Sequence, residues 1–142
     1  MTIGRLLDGR PAEVVTCEAD ASVAQAVTLL AERRIGALPV IENGQVIGIF
    51  SERDVVYSLS EQGAGVLERQ VRDVMTGPPI TVERDTTVLA ALSLITRRRV
   101  RHLPVLENGT MIGFVSIGDL VKFRIDSVQS EAEAMLSYIQ QA

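Results

Sequence analysis

One stretch of the chain occurs twice. Residues 38–54 read LPVIENGQVIGIFSERD, and residues 103–119 read LPVLENGTMIGFVSIGD. A shift of 65 positions lays residues 15–56 on residues 80–121 without a gap, and 19 of the 42 aligned pairs are identical. A duplication of this length predicts two similar structural units that share a core.

The first half of each unit predicts a strand and a helix. In the first copy a β-prone run covers residues 14–17, and Ser22 has the capping-box spacing to Gln25 that starts a helix. Apolar residues then recur at helical spacing up to about Arg33, whose charge complements the dipole at a helix end.

The second half of each unit predicts a hairpin and a second helix. Two β-rich runs, 38–41 and 46–50, flank Asn43-Gly44, the pair that best tolerates the positive φ angles of a type I′ turn. Ser51 can then cap a helix that ends before the glycines of residues 63–65. Each unit therefore reads β-α-β-β-α. The predicted fold is α+β, with two such repeats related by pseudo-two-fold symmetry and an extended C-terminal helix.

The predicted domain organisation has five parts. A helical lead-in covers residues 1–13, the first repeat 14–62, a linker with a short helix at 67–75 covers 63–79, the second repeat 80–122, and a helical extension 123–142. Beyond the second repeat apolar residues alternate at spacings of three and four, which predicts a heptad-like helix of about 20 residues. Such a helix can lie back on its own domain, form a dimer seam, or dock a partner protein.

Composition and charge argue against several classes of function. The formal net charge of -4 gives no general attraction to nucleic acid. The basic run RRRVR at 97–101 is the best nucleic-acid candidate, but it straddles a predicted helix end, where cations are favoured for structural reasons. The single histidine and single cysteine leave little material for a metal centre or a nucleophilic triad. We therefore expect no metal, no catalytic residues and no enzyme activity, and nucleic-acid binding is kept only as a minor alternative.

The chain also lacks the apolar runs of a signal peptide or of a membrane-spanning helix. We therefore expect a cytoplasmic protein that does not bind a membrane.

The two units resemble a tandem pair of CBS (cystathionine β-synthase type) domains. The resemblance covers about residues 14–121 and rests on four motifs: Thr16 and Thr81 after a short first strand, an apolar-Pro-Val hairpin, a glycine in the second hairpin strand, and Ser-x-x-Asp. Each motif alone is weak, but all of them occur twice in register. The family implies a paired module with two clefts that bind adenosyl ligands such as AMP, ATP, NAD or S-adenosylmethionine, generally to regulate another protein.

The resemblance also assigns roles to residues. Adenine would lie among aliphatic side chains near the two threonines, an aspartate would accept hydrogen bonds from both ribose hydroxyls, and a serine at a helix start would meet a phosphate. The candidate nucleotide-binding residues are Thr16, Ala37, Leu38, Pro39, Ser51, Arg53, Asp54, Thr81, Arg101, His102, Leu103, Pro104, Ser116 and Asp119. The alternative interpretation of Ser-x-x-Asp is a capping box, in which the aspartate folds back on the serine N–H.

The two copies differ ahead of the hairpin, where Gly36-Ala37 corresponds to Arg101-His102. In related CBS pairs the basic residues ahead of the second hairpin reach the phosphate of the nucleotide whose ribose lies on the first aspartate. We therefore hypothesise one anionic site that combines Asp54 with Arg101-His102, with Arg53 as a further cation for a polyphosphate. The other site, at Asp119, would face Gly36-Ala37 and prefer less charge.

The predicted function is a non-catalytic, homodimeric sensor of an adenine nucleotide, with AMP as the first candidate and no required cofactor. It would signal to a partner protein that the sequence does not identify. The alternative is a structural or docking module with vestigial clefts, in which the C-terminal helix is the working surface.

Overall fold

The computed structural model describes residues 1–11 and 13–141. The elements in chain order are α1 (Ile3–Asp8), β1 (Cys17–Glu18), α2 (Val23–Arg33), β2 (Ala37–Glu42), β3 (Gln45–Ser51), α3 (Glu52–Gln62), two 3₁₀ helices (Ala64–Glu68 and Val71–Asp73), β4 (Val82–Glu83), α4 (Val88–Arg98), β5 (His102–Glu107), β6 (Thr110–Ser116) and α5 (Ile117–Gln141).

The strands form two three-stranded sheets of the same design. The sheet orders are β1-β2-β3 and β4-β5-β6, and in each sheet the first pair is parallel and the hairpin pair antiparallel. The registers also correspond, since Ala37 lies opposite Ser51 and His102 lies opposite Ser116. The α+β fold with two β-α-β-β-α repeats is thus confirmed.

Short sequence motifs account for both hairpin turns and for the start of α2. Asn43 and Gly44 have φ angles of 53° and 77°, and Asn108 and Gly109 have 52° and 79°, as a type I′ turn requires. The capping box that starts α2 is also present. At the end of α4 two arginines of the basic run lie in the last turn, where cations complement the helix dipole.

Each repeat has its own apolar core, completed by a segment that precedes the other repeat. Ile3 and Leu6 of α1 belong to the core of the second repeat, and Val71 belongs to that of the first. Backbone hydrogen bonds fix this exchange: Ile3 donates to the Thr86 carbonyl at 2.9 Å, and Val71 donates to the Ala21 carbonyl at 2.8 Å. The lead-in is therefore part of the second repeat's core.

Two predicted elements are wrong in detail. The first strand starts at Cys17 rather than covering 14–17, so Thr16 and Thr81 lie just before the short strands β1 and β4. The predicted helix at 67–75 is replaced by the two 3₁₀ helices. There the N–H groups of Val71 and Arg72 donate to carbonyls of the first repeat, so they are not available for an α-helix.

The long helix α5 leaves the body of the protein. Leu120 is fully buried and Phe123 packs against the core of the second repeat, but every residue from 128 to 141 is exposed. The apolar heptad positions continue along this exposed part, and Met135 is 67% exposed. The helix therefore does not lie back on its own domain. In the described part of the chain, no helix combines the length and the apolar character needed to cross a membrane.

Candidate functional site

The two Ser-x-x-Asp motifs hold their aspartates in the same way. Asp54 Oδ2 accepts a hydrogen bond from the Ser51 N–H at 2.8 Å, and Asp119 Oδ2 accepts one from the Ser116 N–H at 2.8 Å. In return each serine hydroxyl accepts from the aspartate N–H, at 3.4 and 3.1 Å. The capping-box interpretation is confirmed as a contact at both helix starts, and it occupies one carboxylate oxygen of each aspartate.

The other carboxylate oxygen meets a segment that precedes a repeat. Thr76 Oγ1 donates to Asp54 Oδ1 at 2.9 Å, whereas Arg10 Nη2 forms an ion pair with Asp119 Oδ1 at 2.6 Å. Arg10 Nη1 also donates to the Phe114 carbonyl at 3.4 Å. Because the cap uses only Oδ2, a helix-capping role and a ligand-binding role are compatible in the same aspartate.

The glycine at the same position of each second hairpin strand has a steric reason. A Cβ at Gly48 would lie 2.6 Å from Met75 Sδ and 2.8 Å from the Thr76 carbonyl oxygen. A Cβ at Gly113 would lie 2.6 Å from Leu7 Cδ2. The glycines therefore let the preceding segments approach the hairpins closely enough to reach the aspartates.

An open cleft surrounds Asp119, and its volume of about 1000 Å³ lies in the size range of small-molecule sites. Its walls come from both repeats and from the lead-in. Its lining comprises Leu7, Asp8, Arg10, Pro11, Glu13, Val14, Val15, Ile35, Gly36, Ala37, Arg84, His102, Glu107, Ile112, Gly113, Phe114, Ser116 and Asp119.

Two titratable groups of this cleft, Asp119 and His102, have shifted pKa values. Burial by itself raises the pKa of Asp119, but hydrogen bonds from Arg10 and Ser116 and the Arg10 charge outweigh it, so the pKa is lowered. Burial lowers the pKa of His102, and the Arg101 charge acts in the same direction against the opposing carboxylates. The His102 ring, stacked on Phe114 at 5.3 Å between centroids, is therefore neutral at neutral pH.

The structure brings some of the predicted residues together. Gly36, Ala37, Ser116 and Asp119 line one cleft, which is the grouping that the sequence suggested for the less charged site. His102 lines this cleft too, although the hypothesis had placed it with Asp54. The ligand-binding roles of these residues stay predictions.

The other predicted residues lie elsewhere. At the pseudo-equivalent position Asp54 contacts both Ser51 and Thr76, and the side chains of Arg53 and Arg101 are exposed. The remaining candidates are buried or half-buried parts of the hairpins and of the lead-in to each first strand: Leu38, Pro39, Leu103 and Pro104 are buried, and Thr16 and Thr81 are half-buried. Hairpin residues whose side chains are buried could contact a ligand only through their backbone groups.

Sequence reasoning missed Arg10 and Thr76. The only available signal was an extension of the 65-residue shift, which lays residues 71–76 on residues 6–11. That stretch contains a single identity, Asp8 with Asp73. So weak a match does not show that both segments reach over to a distant hairpin.

The described residues contain no cluster of three or more histidine, cysteine, aspartate or glutamate side chains that could hold a metal ion. Burial raises the pKa of the Cys17 thiol to about 11, so this cysteine carries little thiolate at neutral pH.

Comparison with known proteins identifies the class of this fold. The family model of the CBS domain matches residues 11–61 and 71–126, which together make up well over half of the chain. The chain therefore belongs to the CBS domain family and contains a tandem pair of these domains.

Individual relatives agree with this assignment. "CBS domain-containing protein CBSX3, mitochondrial" of Arabidopsis thaliana is 37% identical over 129 residues, which are 87% of this chain and 63% of that protein. The crystal structure of a CBS-domain containing protein from Agrobacterium tumefaciens has a TM-score of 0.83 and 38% identity, with 87% of this chain and 99% of that chain covered. The structure of CBSX2 in complex with AMP has a TM-score of 0.69 and 27% identity, with 80% and 89% covered.

Proposed function

We propose that this protein is a regulatory module that binds an adenosyl ligand at its two Ser-x-x-Asp motifs, with AMP as the first candidate. The observation that carries the proposal is the geometry of the aspartates. Each uses Oδ2 for its own helix and directs Oδ1 to a segment outside its repeat. A ribose offers two adjacent hydroxyl donors, which are suited to a carboxylate oxygen held in this way.

The surroundings of Asp119 suit the rest of such a ligand. Val15, Ile35 and Ile112 provide aliphatic wall for a purine ring. Ser116 precedes the first residue of α5, where backbone N–H groups and the helix dipole favour a phosphate. The relative that is 27% identical was crystallised with AMP, which supports AMP ahead of ATP, NAD and S-adenosylmethionine.

Isothermal titration calorimetry against these four ligands tests the proposal. Asp54→Glu and Asp119→Glu keep the charge and the capping contact but displace the ligand-facing oxygen, so each should weaken binding at its own motif by about tenfold. Asp126→Glu, at an exposed position of α5, is the matched control and should bind as the parent does. Unchanged affinity in both aspartate variants would contradict the ribose assignment.

Regulation requires a partner protein that prefers one ligation state of this module energetically. We propose that the chain is itself non-catalytic and passes ligand occupancy to such a partner, which is unidentified. The chain spans 63% of the length of its Arabidopsis relative. The proposal that the chain is non-catalytic and signals to a partner therefore concerns only the region that the two proteins share.

We further propose that α5 assembles two copies of this chain. An isolated helix as long as its exposed part, residues 128–141, is marginally stable in water, so it needs a packing partner. Its apolar positions follow a heptad, which is self-complementary. After Asp119, the charged residues of α5 are Lys122, Arg124 and Asp126 in its first half, with a net positive charge, and Glu131 and Glu133 in its second half. An antiparallel pair of copies would therefore bring opposite net charges together.

Charge insertion in the seam tests this assembly. Val128→Glu with Met135→Glu places two carboxylates at heptad positions, whereas Ser130→Glu with Ser137→Glu places them on the opposite face of the same helix. We expect analytical ultracentrifugation to give a monomer for the first pair and a dimer for the second. A monomeric parent chain would refute the assembly and leave the ligand proposal intact.

A further inference from the structure

The two capping aspartates have covers of different charge. Asp54 Oδ1 accepts from the neutral Thr76 hydroxyl, and Asp119 Oδ1 is paired with the Arg10 guanidinium. A ribose that places both hydroxyls on Asp119 Oδ1 displaces a cation, whereas at Asp54 it displaces only a hydroxyl. This difference bears on which ligands each site can admit.

Arg10 is held at the cleft by its own backbone. It follows the helix α1, whose Ile3 is fully buried in the core of the second repeat. The Gly4 N–H donates to the Arg84 carbonyl at 2.8 Å, and the Arg10 N–H donates to the Leu7 carbonyl at 3.0 Å. With its backbone anchored and its guanidinium also bonded to the Phe114 carbonyl, Arg10 stays beside the cleft after it leaves Asp119.

The neighbouring groups do not compensate a displaced Arg10 fully. Asp8, which also lines the cleft, is paired with Arg84. Glu13 and Glu107 are exposed and are therefore well solvated. A half-buried guanidinium that loses its carboxylate thus gains most from an anion carried by the ligand itself.

We propose that Arg10 determines the specificity of the Asp119 cleft, by excluding neutral nucleosides and admitting nucleosides that carry a phosphate. A nucleoside that takes Asp119 Oδ1 leaves Arg10 without an anionic partner. A nucleotide offers its phosphate to Arg10 in place of the Asp119 carboxylate, so Arg10 keeps an anionic partner. The proposal rests on the proposed function, because it names the ligand class of that same site.

The test compares AMP with adenosine by calorimetry in an Asp54→Ala background, which removes the other aspartate. In this background Arg10→Ala should lower the ratio of AMP affinity to adenosine affinity on the order of tenfold, since adenosine loses a competitor and AMP loses a charged partner. Arg5→Ala removes the same charge from an exposed position of α1 and should leave the ratio unchanged. Arg10→Gln, which keeps most of the side-chain length, should behave like Arg10→Ala.

Each outcome has a separate meaning. A ratio within about twofold of the parent in both Arg10 variants overturns the role of Arg10 while the proposed function stands. If the Asp54→Ala parent melts as a folded protein and binds neither compound, the role of Arg10 is overturned together with the part of the proposed function that concerns Asp119. The amide resonances of Ala37 and Phe114, measured in the chain with Asp54 intact, report the Asp119 cleft directly and check that the calorimetric signal comes from it.

Discussion

The motif around Asp54 and the motif around Asp119 share a frame and differ in what covers it. In both, a serine caps the helix, the aspartate Oδ2 closes the box, and a hairpin glycine admits a segment from outside the repeat. At Asp54 the covering segment is paired to the strand through its backbone, because Thr76 and Ile49 exchange hydrogen bonds of 2.8 and 2.9 Å. At Asp119 the cover is made by side chains, those of Leu7 and Arg10.

This comparison shows what a duplicated unit retains and what it can change. The shared contacts are those that hold a helix start and a hairpin together, so each copy needs them to fold. The groups that contact the aspartate Oδ1 atoms are not part of this frame, and they differ between the copies. Gly36-Ala37 against Arg101-His102 is a second difference of this kind.

The largest expected difference concerns the two hairpin glycines. In Gly48→Ala the new methyl meets the Thr76 backbone, which is fixed by the strand pairing, so we expect a loss of about 3 kcal/mol in the free energy of unfolding. In Gly113→Ala it meets the end of the Leu7 side chain, which can rotate, so about 1 kcal/mol is expected. Urea denaturation of both variants measures the difference.

Gly65→Ala is the control for this pair, because a Cβ there meets nothing within 4 Å, and its stability should stay close to that of the parent chain. Equal losses at Gly48 and Gly113 would contradict the distinction between a backbone cover and a side-chain cover.

A smaller effect is expected from the Arg10–Asp119 pair in acid. Burial raises the pKa of Asp119, but the Arg10 contacts together with the Ser116 hydrogen bonds outweigh it, so the folded-state pKa lies below the unfolded value of about 4. The stabilisation is therefore complete above about pH 5 and is lost as the pH falls through the folded-state pKa. We expect the parent to exceed Arg10→Ala by at most about 1 kcal/mol at pH 7, because the pair is a third exposed, and the difference to shrink toward pH 3.

Urea denaturation across that pH range measures this effect, with Arg5→Ala as the charge-matched control. A difference that stays constant down to pH 3 would show that Arg10 stabilises the fold through packing rather than through the carboxylate.

The smallest effect is expected at the neutral cover. Thr76→Val keeps the shape of the side chain and removes the hydroxyl that bonds Asp54 Oδ1. In an Asp119→Ala background, AMP and adenosine should both bind about twofold more tightly, and the ratio of their affinities should not change. Calorimetry measures the dissociation constants of AMP and adenosine. A changed ratio would contradict the expected difference between Thr76, which treats both ligands alike, and Arg10, which favours AMP.

Much of the local structure followed from the sequence. The Asn-Gly pairs set both hairpin turns because few residues accept positive φ at two successive positions, and the Ser-x-x-Gln and Ser-x-x-Asp spacings set helix starts through contacts of only three residues' separation. The duplication then fixed the repeated β-α-β-β-α order. These signals are local, so they need no knowledge of the rest of the chain.

Only the tertiary structure decided how the segments before each repeat are used. The burial of Ile3 in the second core and of Val71 in the first depends on surfaces that lie far away in sequence, so no nearby motif records it. Those two anchors bring Arg10 to Asp119 and Thr76 to Asp54. The sequence alone determined where the two aspartates lie and how they cap their helices. The exchange of segments between the repeats decided which group contacts each aspartate, a neutral hydroxyl at Asp54 and a guanidinium at Asp119.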